Sequence, residues 1–329
     1  MLGRLRIRQK LAVLLAIPLT AVALVMAALT VDRINEARTY STTAETALAA
    51  REVGGLIQTL QQERLLALGY LLIPSFDRSA FLRESQAAID EAARLAAQPR
   101  TAAIMERAGR WSLRGLDDLR HRVAERTASP VVTYYAYRSA ITGLIQALDL
   151  AHLGAADAEG LREVLALDAL IHSNEEASST GAILVGSIGG AGFTSVLLRS
   201  AVEADVHHLT RFRQLADPSQ TSLVDKVIGS EAAERLRSHL DLALAGGSPG
   251  NANVSDALSA ALAYINLRRF AQDRVARDVA QAARRDATAA TTTAVAVAVG
   301  ATLLFLGVAA LAGMVGRSIA GPLRRLTRA

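Results

Sequence analysis

Two runs without a single charged residue, 11–31 and 287–315, stand near the ends of the sequence and constrain everything between them. The first, 21 residues long, reaches about 31 Å as a helix, enough to cross the hydrocarbon core of a bilayer. It also exceeds the apolar segment of a cleaved signal peptide, which runs to about 15 residues. Pro18 is tolerated inside such a helix. The second run is longer and opens on Thr288, Thr291, Thr292 and Thr293, a composition suited to the membrane interface.

Charge orients both spans. Arg4, Arg6, Arg8 and Lys10 precede the first without an acid, and Arg317, Arg324, Arg325 and Arg328 follow the second. Those eight positive charges exceed the formal net charge of +5, so residues 11–316 carry a small negative excess. The basicity sits in two membrane flanks and marks no nucleic-acid surface. Because positive flanks stay inside, the sequence predicts a cytoplasmic flank (1–10), transmembrane helix 1 (11–31), an extracytoplasmic domain (32–286), transmembrane helix 2 (287–315) and a cytoplasmic tail (316–329), set in the plasma membrane.

The domain between the spans is expected to be all-α. The chain is 51% apolar but only 4% aromatic, a balance that favours helices over strands. Turn signals at Pro74, Pro99, Ser129-Pro130, Gly189-Gly190, Asp217-Pro218 and residues 246–251 divide it into about eight helices, near 33–73, 77–97, 100–127, 131–153, 158–188, 194–216, 229–245 and 252–287. Short connections suggest antiparallel bundles, and 255 residues exceed one of them. The predicted architecture is therefore two antiparallel four-helix bundles between two transmembrane helices.

The first and last of these helices run directly into the spans. Val53, Ile57, Leu60, Arg64, Ala67 and Leu71 form a core seam in the first, and Leu258, Ala261, Ile265, Arg268, Gln272 and Val275 form one in the last. Each seam carries an arginine at its middle. A guanidinium facing a core needs an anionic partner. An internal ion pair is one solution, with Glu63, Glu175 and Asp205 as candidate acids. A small planar oxyanion held by the guanidinium fork is the other. Arg269 follows Arg268 directly, and a one-residue change of register would exchange them.

At these residues the chain resembles a known family. Residues 56–64, LIQTLQQER, continuing to Gly69-Tyr70-Leu71, are similar to the LxxxLQxER…YL opening of nitrate- and nitrite-sensing (NIT) domains. Residues 212–220, FRQLADPSQ, followed by Val227-Ile228-Gly229, resemble its FxxLAxPxQ…VxG segment, and the helix holding Ile265 to Phe270 resembles its closing helix. The resemblance implies two packed four-helix bundles and an anion site built from arginines, which carries over to Arg64 and to Arg268 or Arg269. One stretch departs from the pattern. Residues 174–181, NEEASSTG, keep the acid as Glu175 where many relatives have a Lys-Glu pair followed by arginine. Residues 317–326, RSIAGPLRRL, look like the start of a HAMP linker, which implies a homodimer and, in the parent protein, a sensor histidine kinase of a two-component system.

Other chemistries find no support. The chain has no cysteine, which removes disulfides and thiolate catalysis. Its six histidines, His121, His152, His172, His207, His208 and His239, form no HExxH pattern, and no metal or cofactor is expected. Residues 186–192 are glycine-rich but lack the Lys-Ser/Thr of a phosphate loop, and Trp111 reads as a packing anchor. The expected function is ligand sensing with transmembrane signalling, the ligand being nitrate, nitrite or another small oxyanion, and not enzymatic activity. A two-bundle receptor for organic acids or polyamines is the alternative, and a structural or partner-binding membrane protein is another.

Overall fold

The computed structural model describes residues 7–109, 113, 115–150, 158–245 and 253–326; side chains at 7–18 and beyond 311, Met314 apart, are not part of that description. Residues 1–6, Trp111, His152, the 246–251 loop and most side chains of the HAMP-like tail therefore fall outside it. Among the described residues there are ten helices and no strand, in keeping with the all-α expectation. They are α1 (Ile7–Leu72), α2 (Arg78–Ala97), α3 (Ala102–Ala108), α4 (Leu116–Ala124), α5 (Pro130–Leu148), α6 (Ala158–Ile188), α7 (Ser195–Leu215), α8 (Pro218–Ile228), α9 (Glu231–Leu244) and α10 (Val254–Leu326).

Contacts divide the chain into two compact units, 1–41 with 283–329, and 42–282. In the first unit the helices expose apolar side chains to the surroundings, among them Leu24, Val25, Leu303, Phe305 and Leu306. Among the described residues one stretch, Val254–Leu311, holds a segment long and apolar enough to cross a membrane, and little of that segment is buried. Leu19, Val22 and Met26 share an apolar groove with Ala298, Ala301 and Phe305. The threonines of the second run donate to the carbonyl four residues back, Thr291 to Ala287 and Thr292 to Thr288 at 2.7 and 2.8 Å, which satisfies each hydroxyl inside its own helix.

The second unit is organised around α6. No residue from 162 to 189 is exposed, so this helix is surrounded by its neighbours. The Cβ that a larger residue would add at Gly181 would lie 2.9 Å from Ala261 Cβ, which shows how closely α6 and α10 approach. Gly190 ends α6 with φ +75°, and the bonds Ala191 N–H to Gly186 O and Gly190 N–H to Ser187 O complete a Schellman cap. Alternating direction orders the neighbours. Arg51–Asp273 and Gln58–Asn266 bonds set α1 antiparallel to α10. Ser173–Asp205 and Arg162–Leu215 bonds set α6 antiparallel to α7. Gln61 and Arg64 meet Glu175 and Ser178, and Leu72 meets Gly189, so α1 and α6 run parallel.

Three boundaries differ from the sequence reading. Where one helix is expected over 100–127, two are described, α3 ending at Ala108 and α4 starting at Leu116, with Gly109 and Gly115 as their flanking residues. The one expected over 131–153 closes at Leu148, with Asp149 in the left-handed region at φ 53°. Residues 218–228 form α8, a helix the break signal at Asp217-Pro218 concealed. That signal is its start: Asp217 caps Ser219 and Gln220 N–H at 2.7 and 2.9 Å while Gln220 reaches back to the Asp217 N–H, a capping box with proline at the first turn. Asp217→Ala is expected to cost about 1 kcal/mol, read as a lowered midpoint in urea unfolding; an unchanged midpoint would mean that α8 needs no cap.

Candidate functional site

Ser173, Asn174, Glu175, Ser178, Ser179 and Thr180 form a run of buried polar residues on the central helix. Buried polar groups must be hydrogen-bonded or they destabilise the fold. The partners come from the helices on either side, and two are the seam arginines of α1 and α10.

Arg64 is fully buried. Its Nη1 donates to Glu175 Oε1 at 2.8 Å and Ser179 Oγ at 3.3 Å. Its Nη2 donates to Glu175 Oε2 at 3.3 Å and Ser178 Oγ at 2.8 Å. Glu175 also accepts from Gln61 and from Ser179 at 2.9 and 3.1 Å. The fifth donor, Nε, is buried without a hydrogen-bond partner among the described residues, as is Oγ1 of Thr180, the residue after Ser179 on α6. Glu63, adjacent to Arg64, turns away and pairs with Arg120 of α4 at 2.7 and 2.9 Å.

Arg268 meets α6 at the preceding turn positions and is satisfied throughout. Nε donates to Asn174 at 2.9 Å, and Nη1 to Asp205 Oδ2 and Tyr264 Oη at 2.9 and 3.1 Å. Nη2 donates to Asp205 Oδ1 at 3.0 Å and to Ser173 Oγ. All five N–H groups of a guanidinium are thus engaged. Arg269 points elsewhere, across Gly54 of α1, where its Nη2 donates to the Arg51 carbonyl at 2.6 Å and its Nη1 is buried without a hydrogen-bond partner among the described residues. Burial pulls its pKa down to about 10, with Asp273 opposing and Arg51 reinforcing the shift. The structure therefore joins Arg64 to Glu175 and Arg268 to Asp205, and separates Glu63 and Arg269 from both.

Sequence reasoning missed Arg138. It is the one charged residue in α5, a signal that could have found it, because a lone charge on a helix with a buried face needs a polar partner nearby. Its Nη1 donates to Ser179 Oγ at 2.7 Å and Tyr134 Oη at 3.1 Å, and its Nη2 to Glu176 at 2.8 and 3.1 Å. Arg138 of α5 thus reaches the polar run of α6 at Ser179 and Glu176. A second cluster joins α6 to α7, where the His172 and His208 rings stack at 5.0 Å and His207 meets His208 edge-on. Burial, followed by its two histidine neighbours, lowers the pKa of His208. Among the described residues no group of three or more histidine, cysteine or acidic side chains is arranged to hold a metal ion.

Comparison with known proteins follows the same geometry. Residues 55–280 match a family model described as nitrate and nitrite sensing. A solved structure of the NasR transcription antiterminator is similar, with a TM-score of 0.63 at 17% identity over 86% of this chain and 80% of that one. At that identity the likeness concerns the fold alone. No curated protein matches.

Proposed function

This chain belongs to the nitrate and nitrite sensing family, and from that premise we propose that it binds a small oxyanion, nitrate or nitrite, at Arg64 and passes the state of that site along α1 and α10. The observation that carries this reading is the Nε of Arg64, buried and unpartnered among the described residues while both Nη groups of the same guanidinium are engaged. Glu175 occupies the Nη1/Nη2 edge of the fork, so a planar anion bound at Nε–H completes the usual pair of parallel bonds by displacing a serine hydroxyl from the neighbouring Nη. Arg268, with every donor engaged on α6, α7 and its own helix, serves first as the staple holding α10 to α6; it and Arg269 reach an anion only by exchanging present partners.

The remaining organisation is part of the same proposal. Residues 11–31 and 287–315 are two membrane spans with both chain ends cytoplasmic, and 32–286 is the extracytoplasmic sensor. The helices between the spans are arranged as two antiparallel four-helix bundles. Residues 316–329 act as a HAMP-like linker that joins two copies of the chain and carries the signal to a kinase output. Signalling then requires an anion that binds one arrangement of α1, α6 and α10 better than another. Spin labels at Thr42 and Gln281 in the full chain test it: saturating nitrate should shift their separation by roughly 1–2 Å, the size of helix displacements in such switches. Identical distance distributions with and without nitrate would refute the signalling step.

A further inference from the structure

Two guanidiniums and the Glu175 carboxylate converge on Ser179. Its hydroxyl accepts from Arg64 at 3.3 Å and from Arg138 at 2.7 Å, and donates to Glu175 at 3.1 Å. Arg138 in turn holds Glu176 with both carboxylate oxygens. The cluster is electrically balanced, and a further anion entering it leaves a net negative charge in a buried place, which is costly. One carboxylate must therefore withdraw.

The two acids are not equal candidates. The side chains of Arg64 and Glu175 are 0% and 4% exposed, and Glu175 is fixed by donors from Arg64, Gln61 and Ser179. Arg138 and Glu176 are 33% and 14% exposed, and among the described residues Glu176 is bonded to Arg138 alone. Glu176 can swing into water by breaking one ion pair, whereas Glu175 would have to leave three partners. Arg138 is also the cation of the cluster that solvent reaches.

We propose that Arg138 and Glu176 form the gate of the Arg64 site: the arriving anion takes the place of Glu176 on Arg138 and is shared with Arg64 across the Ser179 hydroxyl. This rests on the reading that Arg64 holds a small oxyanion. Glu176 then acts as a built-in competitor that sets affinity, and Arg138 acts as a second anion ligand contributed by α5.

The test is isothermal titration of nitrate into the full chain in lipid nanodiscs, comparing wild type, Glu176→Gln and Arg138→Gln. Removing the competing charge while keeping the shape of residue 176 should tighten nitrate binding about tenfold, and removing the Arg138 cation should weaken it by about tenfold or more, the scale of one charge-assisted contact. Thermal melting separates this from a merely structural ion pair. A structural pair predicts that Glu176→Gln melts lower and binds no tighter; the gate predicts tighter binding even if melting falls. Nitrate affinities within twofold of wild type in both variants would overturn the gate while leaving the Arg64 site standing. Absence of saturable binding of nitrate and nitrite to wild type and variants alike would overturn both.

Discussion

Arg64→Ala should destabilise the domain by about 3–5 kcal/mol, the cost of stranding one charge of a buried ion pair. The side chain of Glu175 is 4% exposed, so water cannot replace the lost guanidinium without opening the contact between α1 and α6. Measured against a domain stability of about 5–15 kcal/mol, that loss is large enough to lower the unfolding midpoint in urea by a wide margin. The variant should also lose its response to nitrate. Stability and binding are separable by replacing both partners, Arg64→Met with Glu175→Leu, since apolar side chains of similar volume often restore or exceed the stability of a buried ion pair. The double variant should recover most of the midpoint and remain blind to nitrate. A single Arg64→Ala variant that unfolds like wild type would mean that Glu175 finds another partner.

Arg268→Ala is expected to follow with a loss of about 2–4 kcal/mol. It removes five hydrogen bonds at once, from Asn174, Asp205, Tyr264 and Ser173. More bonds are lost than at Arg64, yet the effect should be smaller, because the side chain of Asp205 is 20% exposed and can hydrate once abandoned. Tyr264→Phe, which deletes one of the five, should cost about 1 kcal/mol. Unfolding of the two variants in urea ranks them, and a larger loss for Tyr264→Phe than for Arg268→Ala would show that Arg268 is not the staple between α10 and α6.

Much of this arrangement is legible before any coordinates. The seams that place Arg64 and Arg268 in the core follow from helical spacing, and Glu175 and Asp205 stand among the acids such arginines would need. The pairing itself was not legible, because three acids compete and their choice depends on which helices adjoin: Glu63 lies beside Arg64 in sequence, yet the helix geometry turns it toward Arg120 of α4. Arg138 was missed because it lies off α1 and α10, and its contact with Ser179 joins residues 41 apart in sequence. The capping box of α8 was visible but read as a break, since Asp-Pro marks both the end of one helix and the start of the next.

These placements change the meaning of the departure at residues 174–181. The missing cations of α6 need not imply a missing site, because α5 supplies Arg138 to the same serine that Arg64 touches. The proposed site has two acids built into it, and its affinity is expected to depend on how readily one of them withdraws.

Direct titration of nitrate into the intact wild-type chain in nanodiscs, in a buffer free of competing oxyanions, tests the central claim. A saturable heat that disappears in the stable Arg64→Met, Glu175→Leu double variant is the predicted result. A wild-type chain that is fully helical by circular dichroism and gives no saturable heat with nitrate or nitrite would contradict it.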